Sequence, residues 1–373
     1  MKKYHEIALI PGDLNGITVT DAAQQVSGAL IDTGILTKPI RHTTFPYNAD
    51  YFLENKITEL GPKELGELKK YDQIFEGAIG DPTKIKPGVL ELGILLKIRQ
   101  AFNQYVNLRP IILPEGVPSI LVGKTYKDIN FEILRENSEG LYSGIGWIEG
   151  KGTEDEAAYQ IMKCTYKGVN RLAEFGSQRA IERKKGDKPK MHIVFKTNIL
   201  THAASPWQRV YDEFKKRDDI DVQYMHIDNF AMQMLTKPEQ FDVVITENMF
   251  GDITTDEGAV IQGGIGSAVS GNINPTGEFP SMFEPTHGTA PDLWYQIKNG
   301  EYVPGTFVPE KVQQIKPEAA ILAYAMMLEQ MKEQAAAKVM KEAALSNIRD
   351  PNYKAKTLDE LVENACNSVL SAG

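Results

Sequence analysis

Short apolar runs alternate along the chain with segments in which apolar residues recur at every third or fourth position. The strand-like runs are "EIALIPG", "YDQIFEGAIGDP", "PSILVG", "INFEILREN", "HIVFKTN" and "FDVVITEN". Segments such as "TVTDAAQQVSGALIDTG" and "ELGPKELGELKK" show helical spacing instead. Regular alternation of the two patterns predicts an α/β protein whose sheet is buried between helices.

The segment 317–345 has the longest helical pattern, and it predicts a single helix with Pro317 at its start. The chain has 373 residues, a length that suggests two domains or one large domain. No internal repeat, low-complexity tract or interdomain linker marks a boundary between domains.

Composition and charge narrow the class of protein. The chain is 42% hydrophobic, and 41 basic residues against 50 acidic residues give a formal net charge of −9. This charge argues against a nucleic acid or an anionic membrane as partner, and no apolar run is long enough for a membrane span. Two cysteines, Cys164 and Cys366, make neither a disulfide framework nor a metal knuckle. The simplest compartment is therefore the cytoplasm.

The sequence lacks the glycine fingerprint of a Rossmann dinucleotide site. In "GGIGSAVSG" (263–271), Val269 stands where the third glycine would be, and no strand-like run leads into the segment. A nicotinamide cofactor would therefore bind this chain in another type of site.

Two aspartates lie four residues apart in "ENMFGDITTDEGA" (247–259), directly after an apolar run. On a helix, Asp252 and Asp256 share one face and repel each other by roughly 0.2–0.5 kcal/mol unless positive charge lies nearby. Asp252 could cap the helix or complement its positive end while Asp256 is solvated. Alternatively, the pair could bind a cation, and this segment alone leaves both interpretations open.

Ligands of open α/β sheets gather at the carboxyl ends of strands, so residues that end the strand-like runs are candidates for chemistry. The residues that end the runs are Arg109, Arg135, Lys196, Asn198, Asp228 and Asp252. Arg99 on an amphipathic run and Tyr142 in "SEGLYSG" are further candidates. Each could be an ordinary ion pair or core residue. Together they offer guanidinium groups for carboxylates, oxygen ligands for Mg²⁺ or Mn²⁺, and two proton-transfer groups. The set suits a small hydroxy diacid chelated to a divalent ion.

Seven ordered motifs give the chain a strong resemblance to the β-decarboxylating dehydrogenases, the family of isocitrate, 3-isopropylmalate and tartrate/D-malate dehydrogenases. The motifs are "IPGD", "KIRQAFNQYVNLRP", "DINFEILRENSEGLYSG", "FKTN", "IDNFAMQML", "ENMFGDITTDEGA" and "FEPTHGTAPD". The resemblance implies a two-domain α/β/α fold that is not Rossmann. Residues 1–106 and 262–373 would form a large cofactor-binding domain, and 107–261 an inserted domain for substrate and dimerisation.

The resemblance also implies roles for individual residues. Arg99, Arg109 and Arg135 would hold the substrate carboxylates, Leu95 and Leu96 would face the C3 substituent, and Asn198 would also contact the substrate. Asp252, Asp256 and Asp228 would bind the metal. Lys196, oriented by Asp228, would remove the hydroxyl proton, and Tyr142 would protonate the enol. The expected NAD-binding residues are Glu284, His287, Gly288, Thr289, Ala290 and Asp292. Members are homodimers with shared sites, so Lys196 and Asp228 would act in the partner's site.

Two segments depart from the family pattern. The first loop, "GDLNGITVT", carries Leu14, Ile17 and Thr18 at altered positions. The loop 293–316, which normally frames adenine, is longer than expected and ends in Lys316 and Pro317. Asp292 would repel the 2′-phosphate of NADP, so the resemblance favours NAD.

The segment "LELGILLKIR" (90–99) bears on the substrate. Gly93 and Leu95 stand where isocitrate enzymes place a serine and an asparagine, which disfavours a third carboxylate. Leu92 replaces the glutamate of isopropylmalate enzymes, so the tartrate/D-malate branch is the main prediction and 3-isopropylmalate the alternative. A non-catalytic regulatory paralogue and a metal-only lyase are the competing hypotheses.

Overall fold

Two compact units divide the chain. The computed structural model describes residues 3–183 and 185–372, with only the backbone of Ile265. One unit consists of two segments of the chain, the first ending at Phe102 and the second starting at Gly264. The other unit is Asn103–Gly263. The predicted boundaries at 106/107 and 261/262 lie near these limits.

Strands and helices alternate in both units, as the apolar pattern predicts. The strands are β1 (His5–Ile10), β2 (Ile40–Thr44), β3 (Gln73–Glu76), β4 (Val106–Ile112), β5 (Asn130–Glu136), β6 (Gly146–Glu149), β7 (Ala157–Gln160), β8 (Lys190–Phe195), β9 (Asp221–His226), β10 (Val243–Thr246), β11 (Val269–Ile273), β12 (Ser281–Pro285), β13 (Gln296–Lys298) and β14 (Glu301–Val303). The α-helices are α1 (Asn15–Asp32), α2 (Ala49–Asn55), α3 (Pro62–Leu68), α4 (Lys97–Ala101), α5 (Tyr166–Arg183), α6 (Ala204–Phe214), α7 (Ile227–Thr236), α8 (Asn248–Ile261), α9 (Pro291–Trp294), α10 (Pro309–Val312), α11 (Glu318–Gln330), α12 (Gln334–Arg349) and α13 (Leu358–Leu370). A π-helix, Glu91–Leu96, leads directly into α4.

The first unit contains five neighbouring strands in the order β2-β1-β3-β12-β11. β2, β1, β3 and β12 run parallel to one another, whereas β11 runs antiparallel to β12. Helix α11 packs against β11 and β12, and α1 packs against α13. Burial under these helices explains why the strands read as almost continuous apolar runs.

The second unit contains the strands β4-β5-β10-β8-β9 in that order. β5, β10, β8 and β9 are parallel, and β4 is antiparallel to β5. Helices α5 and α8 pack against these strands over a core that includes Phe131, Phe230 and Phe241. The carboxyl ends of β5, β8 and β10 therefore lie along one edge of the sheet.

Tertiary packing overrides two of the secondary-structure predictions. The run "PSILVG" forms no strand, because Ile120 and Val122 are exposed and have no buried surface to pair against. The single helix predicted for 317–345 is two helices, α11 and α12, separated by Lys332 in the left-handed region with φ of 67°. Glu333 then turns into the first unit and accepts hydrogen bonds from His5 Nε2 at 2.8 Å and from the Thr37 amide at 2.9 Å.

Long apolar helices are not a feature of this fold. None of the helices within the described residues is both long enough and apolar enough to cross a membrane.

Candidate active site

Helix α8 starts at the carboxyl end of β10 and carries both aspartates of the "ENMFGDITTDEGA" motif. Its N-cap is Glu247, whose carboxylate accepts a hydrogen bond from the Phe250 amide at 2.6 Å. The interpretation of Asp252 as the helix cap is therefore wrong, since another carboxylate already caps the helix. Asp252 and Asp256 lie one turn apart on α8, as their spacing predicts.

Arg135 lies near the end of β5 and is buried against the first turn of α8. Its Nε donates to Asn248 Oδ1 at 2.8 Å, and its guanidinium forms an ion pair with Asp252. A side chain at Gly251 would place its Cβ 2.6 Å from the Arg135 side chain. The glycine in "MFGD" is therefore required for the arginine to lie across the helix.

Tyr142 completes a cluster around Asp252. Its hydroxyl donates to Asp252 Oδ2 at 2.8 Å, and the Arg135 guanidinium lies 5.2 Å from the centre of its ring. Burial, together with the hydrogen bond to Asp252, raises the pKa of the Tyr142 hydroxyl. The phenol therefore stays protonated at neutral pH and can act as a proton donor.

Arg109 lies near Asp256, as Arg135 lies near Asp252. It lies in the middle of β4 rather than at a strand end, which corrects its predicted position. Its Nε donates to Asn107 Oδ1 at 3.1 Å, and its Nη1 lies 3.8 Å from Asp256 Oδ1. Since Asp256 is 66% exposed and Asp252 is 40% exposed, both carboxylates also remain open to solvent. Two guanidinium groups thus relieve the repulsion between the aspartates.

Lys196 and Asp228 form a separate pair at the same edge of the sheet. Lys196 follows the last residue of β8, Asp228 lies in the first turn of α7, and Nζ is 2.5 Å from Asp228 Oδ1. The hydrogen bond from Lys196 lowers the pKa of Asp228. The pair borders a mainly apolar groove of about 630 Å³ that also contains Ile199 and Ile253. Asn198, two residues beyond Lys196, is exposed.

Metal-ligand oxygens are present in this unit, but one chain does not assemble a complete site. Within the described residues, no three His, Cys, Asp or Glu side chains come together in an arrangement that could hold a metal ion. Asp252 and Asp256 supply hard carboxylate oxygens that suit Mg²⁺ or Mn²⁺. Asp228 is paired with Lys196 instead, so these two carboxylates would need a further ligand from another source.

In the first unit, Arg99 lies in α4 and is almost completely buried. Its Nη2 donates to Glu284 Oε1 at 3.0 Å, and Asn272 Nδ2 donates to the same oxygen at 2.8 Å. Glu284 was predicted to bind cofactor, yet its carboxylate holds Arg99.

The apolar residues before Arg99 do not share one environment. Ile94 belongs to the hydrophobic core, whereas Leu95 and Leu96 are only half-buried and Leu92 is 65% exposed. Ile94 therefore contributes to core packing. Leu95 and Leu96 remain candidates for contact with the C3 substituent.

The predicted cofactor segment follows β12. His287 Nδ1 lies 3.1 Å from the Gly288 carbonyl oxygen, and burial lowers the pKa of His287. The Thr289 carbonyl accepts a hydrogen bond from the Asn15 amide, and Ala290 adopts a left-handed conformation with φ of 44°. Asp292 follows in the first turn of α9 and is exposed.

The atypical loop 293–316 contains α9, the hairpin β13–β14 and α10. Trp294 Nε1 donates to Asn15 Oδ1 at 2.9 Å, and the Tyr295 hydroxyl donates to Asp81 Oδ2 at 2.8 Å. The loop is thereby attached to the altered first loop of the chain. The two departures from the family pattern are consequently neighbours in the structure.

Sequence reasoning missed the residues that hold the arginines. Asn248 is the second residue after β10, and Asn107 lies directly opposite Arg135 on β4, so strand-end position and cross-strand register were the available signals. Glu76 ends the buried strand β3, which is the same signal that identified Lys196. Asn272 offered no signal beyond its place in β11.

The family model of isocitrate/isopropylmalate dehydrogenase matches residues 6–371. A 3-isopropylmalate dehydrogenase of Clavibacter sepedonicus is 39% identical over 352 residues, covering 93% of this chain and 92% of that protein. One from Thermobifida fusca is 39% identical over 347 residues, covering 92% and 91%.

Two solved structures share the fold. An isocitrate dehydrogenase from Methylococcus capsulatus has a TM-score of 0.81 at 28% identity, covering 98% of this chain and 99% of that chain. The TT0538 protein from Thermus thermophilus has a TM-score of 0.81 at 26% identity, covering 98% of this chain and 68% of that chain. The predicted fold class and family resemblance are confirmed, whereas these relatives give no support to the tartrate/D-malate branch. With a family match over nearly its whole length and arginine, aspartate, lysine and tyrosine side chains grouped at one sheet edge, the chain belongs to the isocitrate/isopropylmalate family of decarboxylating dehydrogenases.

Proposed function

We propose that this protein catalyses the metal-dependent oxidative decarboxylation of a 2-hydroxy diacid with NAD, and that 3-isopropylmalate is its substrate. The observation that carries the proposal is the cluster of Arg135, Tyr142 and Asp252 at the same sheet edge as the Lys196–Asp228 pair. A non-catalytic paralogue has no need of this complete set of groups.

The arginines and the metal ligands are proposed to bind the substrate. Arg109 and Arg135 can each direct guanidinium N–H groups at a carboxylate, and neighbouring asparagine side chains restrict their orientation. Asp252 and Asp256 would hold the divalent ion with Asp228 of the partner subunit. When bound, the ion supplies Lewis-acid polarisation and NAD supplies the hydride acceptor.

Lys196 is the proposed base for the hydroxyl proton. The carboxylate of Asp228, 2.5 Å away, orients its Nζ, which would take the hydroxyl proton as the C2 hydrogen leaves as hydride. Tyr142 is the proposed acid in the later step. Its raised pKa keeps the phenolic proton available for the enol carbon that forms when CO₂ is lost.

The active unit is proposed to be a homodimer in which each Lys196 serves the partner's site. Large apolar side chains are exposed on α7 and α8, namely Met232, Leu235, Ile253 and Val260. The hairpin β6–β7 adds an exposed stacked pair, Trp147 and Tyr159, with ring centroids 4.8 Å apart. Exposed apolar surface of this kind indicates a protein interface.

Mixed dimers test the shared site directly. Lys196→Met and Asp252→Asn homodimers should each be inactive, whereas a heterodimer of the two variants combines one intact Asp252 with one intact Lys196. Co-expression with two affinity tags should therefore yield heterodimers with about half the wild-type rate. Inactive heterodimers would place both residues in a single-chain site.

The choice of 3-isopropylmalate rests on the relatives and on the apolar residues near Arg99. The relatives described above carry that name at 39% identity, and Leu95 and Leu96 are half-buried apolar side chains one turn before Arg99. D-malate is the second candidate, because Leu92 stands where isopropylmalate enzymes carry a glutamate.

A substrate panel separates these candidates. The purified protein with Mn²⁺ and NAD should show kcat/KM for 3-isopropylmalate at least about tenfold above that for D-malate, tartrate or isocitrate, a difference of about 1.4 kcal/mol. The reverse order would assign the protein to the D-malate branch. No turnover of any of the four would reject the proposed function.

NAD is the proposed cofactor because Asp292 is an exposed carboxylate at the end of the "HGTAPD" motif. It would repel the 2′-phosphate of NADP. Asp292→Asn should raise kcat/KM with NADP and lower that with NAD, because the carboxylate is expected to bind the ribose hydroxyls of NAD. A wild-type preference for NADP would overturn this assignment.

A further inference from the structure

Glu76 is a buried acid that the proposed mechanism does not use. It is the last residue of β3 and only 1% exposed. The parallel register pairs Phe75 with Phe283, so Glu76 and Glu284 follow side by side on one face of the sheet. Glu284 in turn holds Arg99, which places Glu76 directly behind the arginine that is proposed to bind a substrate carboxylate.

The surroundings of Glu76 suit a neutral acid rather than a carboxylate. Neither of its oxygens accepts a hydrogen bond from the described residues. On its other side, β1 presents Ile10, and the Asn272 amide is directed to Glu284 instead. Burial and the adjacent Glu284 carboxylate raise the pKa of Glu76, and Arg99 opposes them only in part. An ionised carboxylate without a donor is costly in such a place.

We propose that Glu76 is a positioning residue that, as a neutral carboxylic acid, donates a hydrogen bond to Glu284 and thereby fixes the Glu284–Arg99 pair for binding of a carboxylate substrate. Because Glu284 already accepts hydrogen bonds from Arg99 and Asn272, we assign the shared proton to Glu76. The inference rests on the proposed role of Arg99.

The charge of Glu76 would affect substrate binding. With Glu76 neutral, Glu284 and Arg99 balance each other. If Glu76 ionises, the three groups carry a net negative charge beside the proposed binding site, which weakens binding of an anionic substrate. The charged groups that face Glu76 are Glu284 from β12 and Arg99 from α4. The effect should therefore appear in KM and leave kcat nearly unchanged.

Two substitutions separate hydrogen bonding from packing. Glu76→Gln keeps a neutral donor, whereas Glu76→Leu keeps a similar volume without a donor. With 3-isopropylmalate, Mn²⁺ and NAD near neutral pH, the leucine variant should raise KM about tenfold, and the glutamine variant should restore KM to within about twofold of wild type. Leucine at wild-type KM, or glutamine as impaired as leucine, would overturn the proposal.

The pH profile supplies a second measurement. As the pH rises through the raised pKa of Glu76, the wild-type KM should increase, and the glutamine variant should not show this increase. Glu318→Gln is the matched control. Glu318 is also buried with a raised pKa, but it lies in α11, where Asn347 and the Tyr353 hydroxyl donate to it. This control should keep the wild-type KM profile.

An activity-independent measurement keeps the inference separate from the proposed function. Infrared difference spectra at neutral pH should show a protonated carboxylic acid band in the wild type that is missing from Glu76→Gln. Absence of the band would reject the neutral acid even if the leucine variant failed to fold. Failure of the wild type to turn over 3-isopropylmalate or D-malate, with the band present, would reject the proposed function instead.

Discussion

The second unit has charged clusters at both ends of its parallel strands, and the two clusters differ in how completely their carboxylates are enclosed. Near the start of β5, Glu132 is 2% exposed and receives hydrogen bonds from Arg179 Nε at 2.7 Å and from Arg183 Nη1 at 2.9 Å. Arg183 also bonds Asp242, the residue before β10, at 2.6 Å. At the other end, Asp252 is 40% exposed beside Arg135 and Tyr142.

Solvent access separates the structural charges from the candidate functional charges within this one sheet. Burial opposes ionisation of Glu132, but the hydrogen bonds and charges of Arg179 and Arg183 hold its pKa below the usual value. Its oxygens are occupied by arginine, so it is a fixed part of the fold. Asp252 has protein partners yet stays open to solvent, so a ligand can reach it.

We expect the greatest loss of activity from a substitution at the solvent-open end of the strands, where Lys196 and Asp252 lie. Lys196→Met removes the proposed base and should lower kcat about a thousandfold, equivalent to ~4 kcal/mol in the activation barrier. Thermal unfolding should change little, because Asp228 is largely exposed and can be solvated. Lys124→Met is the control, since Lys124 forms a comparable pair with Glu239 at 2.7 Å. Equal loss of rate in both variants would contradict the assignment.

A substitution at the enclosed end of the strands, where Glu132 lies, should lower stability rather than activity. Glu132→Ala leaves two arginines without their buried partner and should lower the free energy of unfolding by about 3 kcal/mol. Urea titration followed by circular dichroism measures this change. The kcat of the folded variant should remain near wild type. A large loss of kcat without loss of stability would mean that the clusters do not divide structure from function.

A smaller effect is expected for metal affinity. Asp252→Asn keeps the size of the side chain but removes its charge, so Mn²⁺ should bind about tenfold to a hundredfold more weakly. Isothermal titration of the metal, with a non-reactive diacid present, measures the affinity. Asp212→Asn removes a surface carboxylate paired with Lys215 and serves as control. Unchanged affinity in Asp252→Asn would remove this residue from the metal site.

The smallest expected effect is on the pH dependence of stability. Since the pKa of Glu132 is lower in the folded than in the unfolded state, its stabilising contribution is present above the unfolded pKa. It is lost as the pH falls through the folded pKa. The difference in unfolding free energy between wild type and Glu132→Gln should therefore shrink in acid. A difference that stays constant down to acidic pH would show that Glu132 is not the titrating group.

The fold class, the family and most of the candidate site residues can be predicted from the amino-acid sequence alone. Apolar periodicity predicts the strands β1, β3, β5, β8 and β10, because a strand buried on both faces needs an apolar side chain at nearly every position. The spacing of Asp252 and Asp256 places them on one helix face. The rule that ligands gather at strand ends selected Arg135 and Lys196 as candidates from sequence order alone.

Which charged residues are paired, and where some helices and strands end, depends on contacts that form only in the folded chain. The break at Lys332 depends on hydrogen bonds that Glu333 accepts from His5 and Thr37, about three hundred positions earlier in the chain, and such tertiary contacts override local helix propensity. The pairing of Arg99 with Glu284 joins residues 185 positions apart. Local pattern carries no information about such partners, because the energy of a buried charge depends on the groups that the fold brings beside it. For the same reason, the buried position of Glu76 beside Glu284 became visible only in the folded chain.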